Sequence, residues 1–368
     1  MTPFDYRPRT RIVFGLGEFA RLGEIARDAG GARCFFVADR RISEGRHGQE
    51  AVRSLKARRM DVASFHDFTA TPTPAMIEAG RVIAAAHNPD IIVAMGSASA
   101  LEAAKAINVV LMNGGSIADY RGYGRVAKPL LPMVAVPTVA GSGSEALTNT
   151  IVFDPHTRSN LTCGDPKIYF RTVLLDAGLT LGLARETEAT SGYLAIANAV
   201  EALASPRRTP LAECFAHEAW RLLDANFERA MHSPEDIDAR GALLLGAHFA
   251  GAAVENSSLG SAHACAAPIT ANFGLVRGAA LALVLPAVLE WQDGNGELPA
   301  HPERLRELRA SGRLAASLQD AGVPEASLPR LAEEAATQWT GRMGPRAFDA
   351  QAAMEIYQAA YKQGAYIR

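Results

Sequence analysis

The strongest constraint on how this chain can fold is a change of rhythm near residue 180. Before it, short β-branched or apolar runs alternate with helical patterns. The runs are Arg11-Ile12-Val13-Phe14, Cys34-Phe35-Phe36-Val37-Ala38, Ile91-Ile92-Val93-Ala94-Met95, Met133-Val134-Ala135-Val136 and Thr172-Val173-Leu174-Leu175. Near-continuous apolar runs separated by helices predict a mostly parallel sheet covered on both faces. After residue 180 the strand signals stop. Helical patterns rich in Ala and Leu follow over Leu211 to Phe227, Ala239 to Glu255, Pro302 to Ala321 and Ala350 to Lys362, with breaks at Pro206, Pro234, Pro268, Pro286 and Pro324. This order predicts an α/β domain over 1–178 and an all-helical domain over 179–368, with the active site in the cleft between them. A chain of 368 residues is long enough for each domain to bury its own core.

A formal net charge of −2 with mixed signs makes no field that would gather nucleic acid or an anionic membrane, so the expected partner is a small molecule. The four cysteines, Cys34, Cys163, Cys214 and Cys265, form no C-x-x-C pair and no zinc-ribbon spacing. No window approaches 18 uninterrupted apolar residues, and the first residues lack an apolar segment of signal-peptide length. The expectation is a reduced, cytoplasmic enzyme.

Three glycine-containing loops follow strands. Gly15-Leu16-Gly17-Glu18-Phe19-Ala20, with Asp39 further on, fits the G-x-G-x-x-A dinucleotide pattern, and fits equally a tight strand-to-helix turn. Gly96-Ser97-Ala98-Ser99 enters a helix whose N-terminus favours a phosphate. Pro137-Thr138-Val139-Ala140-Gly141-Ser142-Gly143-Ser144-Glu145 adds hydroxyls and two glycines. Together the last two point to a dinucleotide.

The stretches Gly96 to Lys105 and Pro137 to Glu145 resemble, in this order, the Gly-Gly-Gly-Ser-x-x-Asp-x-x-Lys and Pro-Thr-Thr-x-Gly-Thr-Gly-Ser-Glu loops of the iron-containing alcohol dehydrogenases, whose fold is similar to that of dehydroquinate synthase. The resemblance implies a Rossmann-like α/β domain in which Gly96, Ser97, Ala98 and Ser99 cradle the pyrophosphate. It places Thr138, Val139 and Ser142 on the nicotinamide side, Leu179 and Thr180 beside the adenine, and Thr71 of Thr71-Pro72-Thr73 near the adenosine. Asn160 stands where the family carries a lysine beside the cofactor. Asp39, at a strand C-terminus, would accept the ribose 2′-OH and so favour NAD over NADP, or is a solvated turn residue.

In the family, an aspartate and a histidine four residues apart on one helix and two later histidines hold the metal. The i, i+4 spacing brings two ligands to one ion. By this resemblance the four positions carry Leu194, Asn198, His263 and Arg277. Leucine has no donor atom, arginine is permanently protonated and an asparagine oxygen is a poor ligand without anionic help, so no catalytic metal is expected. Arg277 could take over the stabilisation of a developing oxyanion or clamp an anionic substrate, or could form a structural ion pair. His263 is the candidate proton donor, with a structural histidine as the alternative. Asn198 and Tyr193 could hydrogen-bond substrate, and Cys265 reads as a core residue.

Within the family, several stretches, among them Arg11 to Gly17 and Arg171 to Asp176, resemble the maleylacetate reductases more than the primary alcohol dehydrogenases. The expectation is a metal-independent NAD(H)-dependent reductase of a small aldehyde or ketone bearing a carboxylate or phosphonate, with a homodimer implied by the resemblance. The alternatives are a lyase or isomerase that retains NAD, and an inactive nucleotide-binding protein.

Overall fold

All five apolar runs become strands, and four of them are buried on both faces of the sheet. In the computed structural model, which describes residues 3–68, 71–157, 159–292 and 300–362, Ile91–Gly96, Met133–Pro137 and Thr172–Leu175 are buried at every position. The strands are β1 (Arg11–Phe14), β2 (Arg33–Ala38), β3 (Asp61–Phe65), β4 (Ile91–Gly96), β5 (Gly122–Tyr123), β6 (Met133–Pro137), β7 (Asn149–Asp154), β8 (Ser159–Gly164) and β9 (Thr172–Leu175). Six form one sheet in the order β1-β9-β6-β4-β2-β3, parallel at every pairing. β1 is an edge strand that leaves Ile12 and Phe14 exposed. A second, three-stranded sheet, β5-β8-β7, takes β5 from the stretch before β6 and β7 and β8 from the stretch between β6 and β9.

The strands alternate with α1 (Leu22–Asp28), α2 (Arg40–Glu44), α3 (Arg46–Ala57), α4 (Pro74–His87) and α5 (Ala98–Asn113). Beyond the last strand come α6 (Arg185–Ala204), α7 (Pro210–His232), α8 (Ile237–Glu255), α9 (Ser261–Phe273), α10 (Arg277–Trp291), α11 (Pro302–Ser311), α12 (Leu328–Ala336) and α13 (Ala350–Lys362). The chain divides into two compact units. One holds Tyr6–Val139 and Ser144–Thr180; the other holds Leu181 onward together with Ala140–Gly143. Among the described residues no helix is long and apolar enough to cross a membrane.

In the helical unit α6 is the centre. Tyr193, Ile196 and Val200 pack with Trp220 and Phe227 of α7, Leu243 of α8, Ile269 of α9 and Leu281 of α10. Pro268 and Pro286, expected as breaks, lie inside α9 and α10. Each proline removes one helical hydrogen bond, and the burial of most of both helices offsets that loss. α11 ends at Ser311 instead of running to Ala321, and Arg313 two residues on is left-handed (φ +56°).

Candidate functional site

The six-stranded sheet sets the first cluster. The chain leaves β2 towards β3 on one side and leaves β4 towards β6 on the other. The carboxyl ends of β2 and β4 therefore form the switch point at which open α/β sheets bind ligands. Asp39 follows β2, and its carboxylate accepts the Ser97 N–H (2.6 Å) and the Ser97 hydroxyl (3.2 Å). Gly96 has φ +143°, and a Cβ there would stand 2.3 Å from Asp39 Oδ2, so only glycine admits the carboxylate. Burial pushes the Asp39 carboxyl up, and its two bonds from Ser97 oppose that rise.

This corrects the expectation of an open cradle over Gly96 to Ser99. The Ser97 N–H is given to Asp39 and the Ser99 N–H to Ser97 Oγ (3.3 Å). Of the Ser97, Ala98 and Ser99 amides, that of Ala98, at the first position of α5, has no partner among the described residues. Thr138 lies alongside, its N–H donating to Gly96 O at 3.0 Å, and Val139 is half-buried. The Gly15 loop resolves as structural, because its Phe19 N–H donates to Asp176 (3.0 Å), whose other oxygen accepts the Gly178 N–H (2.9 Å). Leu179 and Thr180 turn inward. Leu179 belongs to the core under the sheet, and the Thr180 hydroxyl donates to Ala177 O, so neither offers much surface to an adenine. Thr71 and Asn160 are exposed; Asn160 pairs across β8 and β7 with Phe153, whose N–H donates to Pro72 O (2.9 Å).

Glu102 and Lys105, on α5, are buried braces. Lys105 Nζ donates to Ser144 O (2.6 Å) and Asn149 O (2.8 Å), and Glu102 accepts the Ser144 hydroxyl and the Ile151 N–H (2.7 Å). One turn of α5 thus pins the end of the Pro137–Glu145 loop. Lys105→Met is expected to lower stability by about 3 kcal/mol, since it strips a charged donor from two buried carbonyls. Thermal unfolding checks this, and an unchanged midpoint would mean that Ser144 and Asn149 find other donors.

The second cluster lies in the helical unit. Leu194, Asn198 and Glu201 follow one another at i, i+4 and i+7 and share one face of α6. Asn198 is 5% exposed, and its Nδ2 donates to Ser142 O at 3.0 Å. A backbone carbonyl only accepts, so the amide orientation is settled and Oδ1 is left buried without a partner. His263, in the first turn of α9, is 6% exposed, and its Nδ1 is hydrogen-bonded to Glu201 Oε2. Glu201 Oε1 accepts the Ala262 N–H at 2.7 Å. Arg277 is the first residue of α10, half-buried and engaged within the protein. Gly278 beside it allows close contact with α6, since a Cβ there would stand 1.7 Å from Thr190 O.

Tyr193 is a correction. It is fully buried and its hydroxyl donates to Leu305 O (3.1 Å) in the helical core, which leaves nothing for a substrate. Cys265 is buried as expected, and burial pushes its thiol up. Glu201 was missed, although its i+3 spacing from Asn198 was a readable signal.

The sheet of one unit thus carries a ligand-type switch point, and the helical unit carries a buried His263–Glu201 pair. Residues 8–177 match the iron-containing alcohol dehydrogenase family, and residues 188–309 match its C-terminal domain. The chain belongs to the iron-containing alcohol dehydrogenase family. It is 28% identical over 288 residues to the NAD-dependent methanol dehydrogenase of Bacillus methanolicus, covering 78% of this chain and 75% of that one. The solved structure of a 1,3-propanediol oxidoreductase superposes with a TM-score of 0.92 at 24% identity, covering 98% of this chain and all of that one. A sulfoacetaldehyde reductase from Bifidobacterium kashiwanohense, solved in complex with NAD+, superposes with a TM-score of 0.89 at 22% identity over the whole of both chains.

The family's metal does not fit the residues present. Of Leu194, Asn198, His263 and Arg277, only His263 is a good donor, and one histidine does not make a metal site. Among the described residues no three His, Cys, Asp or Glu side chains come together to hold an ion.

Proposed function

We propose that this protein is a metal-independent, NAD(H)-dependent reductase or dehydrogenase of a small anionic aldehyde or ketone. What carries the proposal is the side-chain set of the helical unit, in which a buried His263–Glu201 pair stands with Leu194, Asn198 and a fixed cation, Arg277, at the other positions that hold the family's metal. Arg277 stands in the first turn of α10, which holds no acidic residue, so its charge adds to the positive pole of the helix. That placement works against helix stability and suits an anion. The resemblance to a sulfoacetaldehyde reductase, whose named substrate is an aldehyde bearing a sulfonate, supports the same class.

On the α/β unit, Asp39 would accept a ribose hydroxyl and disfavour a 2′-phosphate, and the Ala98 N–H would donate to the pyrophosphate. Bound there, a reduced nicotinamide would supply hydride to the carbonyl carbon. His263 Nε2 delivers the proton to the carbonyl oxygen, and Arg277 meets the oxyanion or the substrate's own anionic group.

The test is NADH oxidation by a panel that pairs anionic aldehydes with neutral ones of similar size, after exhaustive chelation, with metal content measured on the same sample. Turnover of the anionic members with substoichiometric metal is expected. Stoichiometric iron or zinc whose removal abolishes turnover would sink the metal-free claim. Unchanged NADH fluorescence on titration with protein would sink the dehydrogenase proposal itself.

A further inference from the structure

We propose that Glu201 is a positioning residue of this acid–base site, holding His263 in the Nδ1–H tautomer so that proton exchange takes place at Nε2. The inference rests on His263 being the proton-transfer group, and deepens that proposal by naming what orients it.

Both carboxylate oxygens of Glu201 are committed to the first turn of α9. Oε1 takes the Ala262 N–H and Oε2 takes His263 Nδ1. Glu201 is 5% exposed. Gly260, just before the helix, keeps that approach open, since a Cβ there would stand 3.1 Å from Oε1. An ionised carboxylate can only accept, so the proton between the two side chains belongs to Nδ1. A neutral imidazole held this way has Nε2 as its acceptor, and a protonated one has Nε2 as its donor. In alcohol oxidation the hydroxyl proton passes to Nε2 as hydride leaves for the oxidised nicotinamide. In reduction the Nε2 proton passes to the carbonyl oxygen as hydride arrives.

A purely structural role is conceivable, because a carboxylate at the N-terminus of α9 also caps the helix. Burying a charge costs several kcal/mol, however, and an apolar contact would join α6 to α9 without it. The same face of α6 carries a second unexplained polar atom, the unpartnered Oδ1 of Asn198 one turn earlier. Two such groups on one face suit a ligand with a hydroxyl or amide donor better than a dry core.

Glu201→Gln separates the two roles. The Ala262 N–H cannot reverse its polarity, so the glutamine carbonyl must face it and the amide N–H₂ must face His263 Nδ1. The cap survives, and the imidazole is forced into the Nε2–H tautomer. Histidine ¹⁵N shifts in full-length protein, with the His263 signal identified by its loss in His263→Ala, are expected to show Nδ1–H in the native chain and Nε2–H in the variant. The thermal midpoint should hold. With an active substrate, kcat should fall about 100-fold or more while KM moves little, as expected for a mispositioned general acid–base group. The same substitution made in His263→Ala should add no further loss, because Glu201 acts through that ring.

A native chain in the Nε2–H tautomer, or a variant whose tautomer and kcat are both unchanged, overturns the proposal. If no substrate is ever turned over, the dehydrogenase proposal fails while the tautomer measurement still decides the role of Glu201.

Discussion

Alanine at Gly278 is expected to loosen α10 from α6 and lower the thermal midpoint by roughly 6–12 °C, the equivalent of about 3 kcal/mol in a domain of this size. The methyl group would arrive 1.7 Å from Thr190 O, far inside contact distance, and the obstacle is backbone that cannot rotate away. Relief requires α10 to move away from α6, and both helices are buried along most of their length. Gly274→Ala is the control. That glycine is left-handed (φ +69°) with nothing within 4 Å of the added methyl, so it should show only the strain of the backbone conformation, about 1 kcal/mol. Calorimetry on the two variants separates a steric effect from a conformational one. Equal, small shifts would mean that the contact between α10 and α6 is not tight in solution.

The second large effect is one of discrimination. Arg277→Ala is expected to raise KM for an anionic aldehyde about 10- to 100-fold, the range set by losing a charged hydrogen-bonding partner, and to leave a neutral aldehyde of similar size nearly unaffected. Steady-state kinetics on the matched pair, with a melting curve beside it, decides the matter. A fall of several degrees with both KM values unchanged would make Arg277 a partner in a structural ion pair.

Much of the architecture was legible because it is written in local pattern. The strands at Cys34–Ala38, Ile91–Met95 and Met133–Val136 are apolar throughout, which only a sheet covered on both faces explains, and each appears where expected. β3 escaped notice as a partly exposed edge strand, and β7 and β8 as a hairpin rich in Thr and Asn. Pro268 and Pro286 misled for the same local reason. A proline reads as a break until tertiary packing is known to hold the helix on either side of it.

The candidate site divides the same way. Leu194, Asn198 and Arg277 are by residue type poor metal donors, because donor chemistry belongs to the side chain and not to its surroundings. Contacts between distant residues were beyond the sequence. Asp176 takes the Phe19 N–H across 157 residues and thereby makes the Gly15 loop structural. Tyr193 faces Leu305 across 112 residues and so leaves the candidate site. Glu201 reaches His263 across 62 residues. Local period and side-chain chemistry set the elements and the donors available; which donor meets which acceptor was decided only when packing brought those distant segments together.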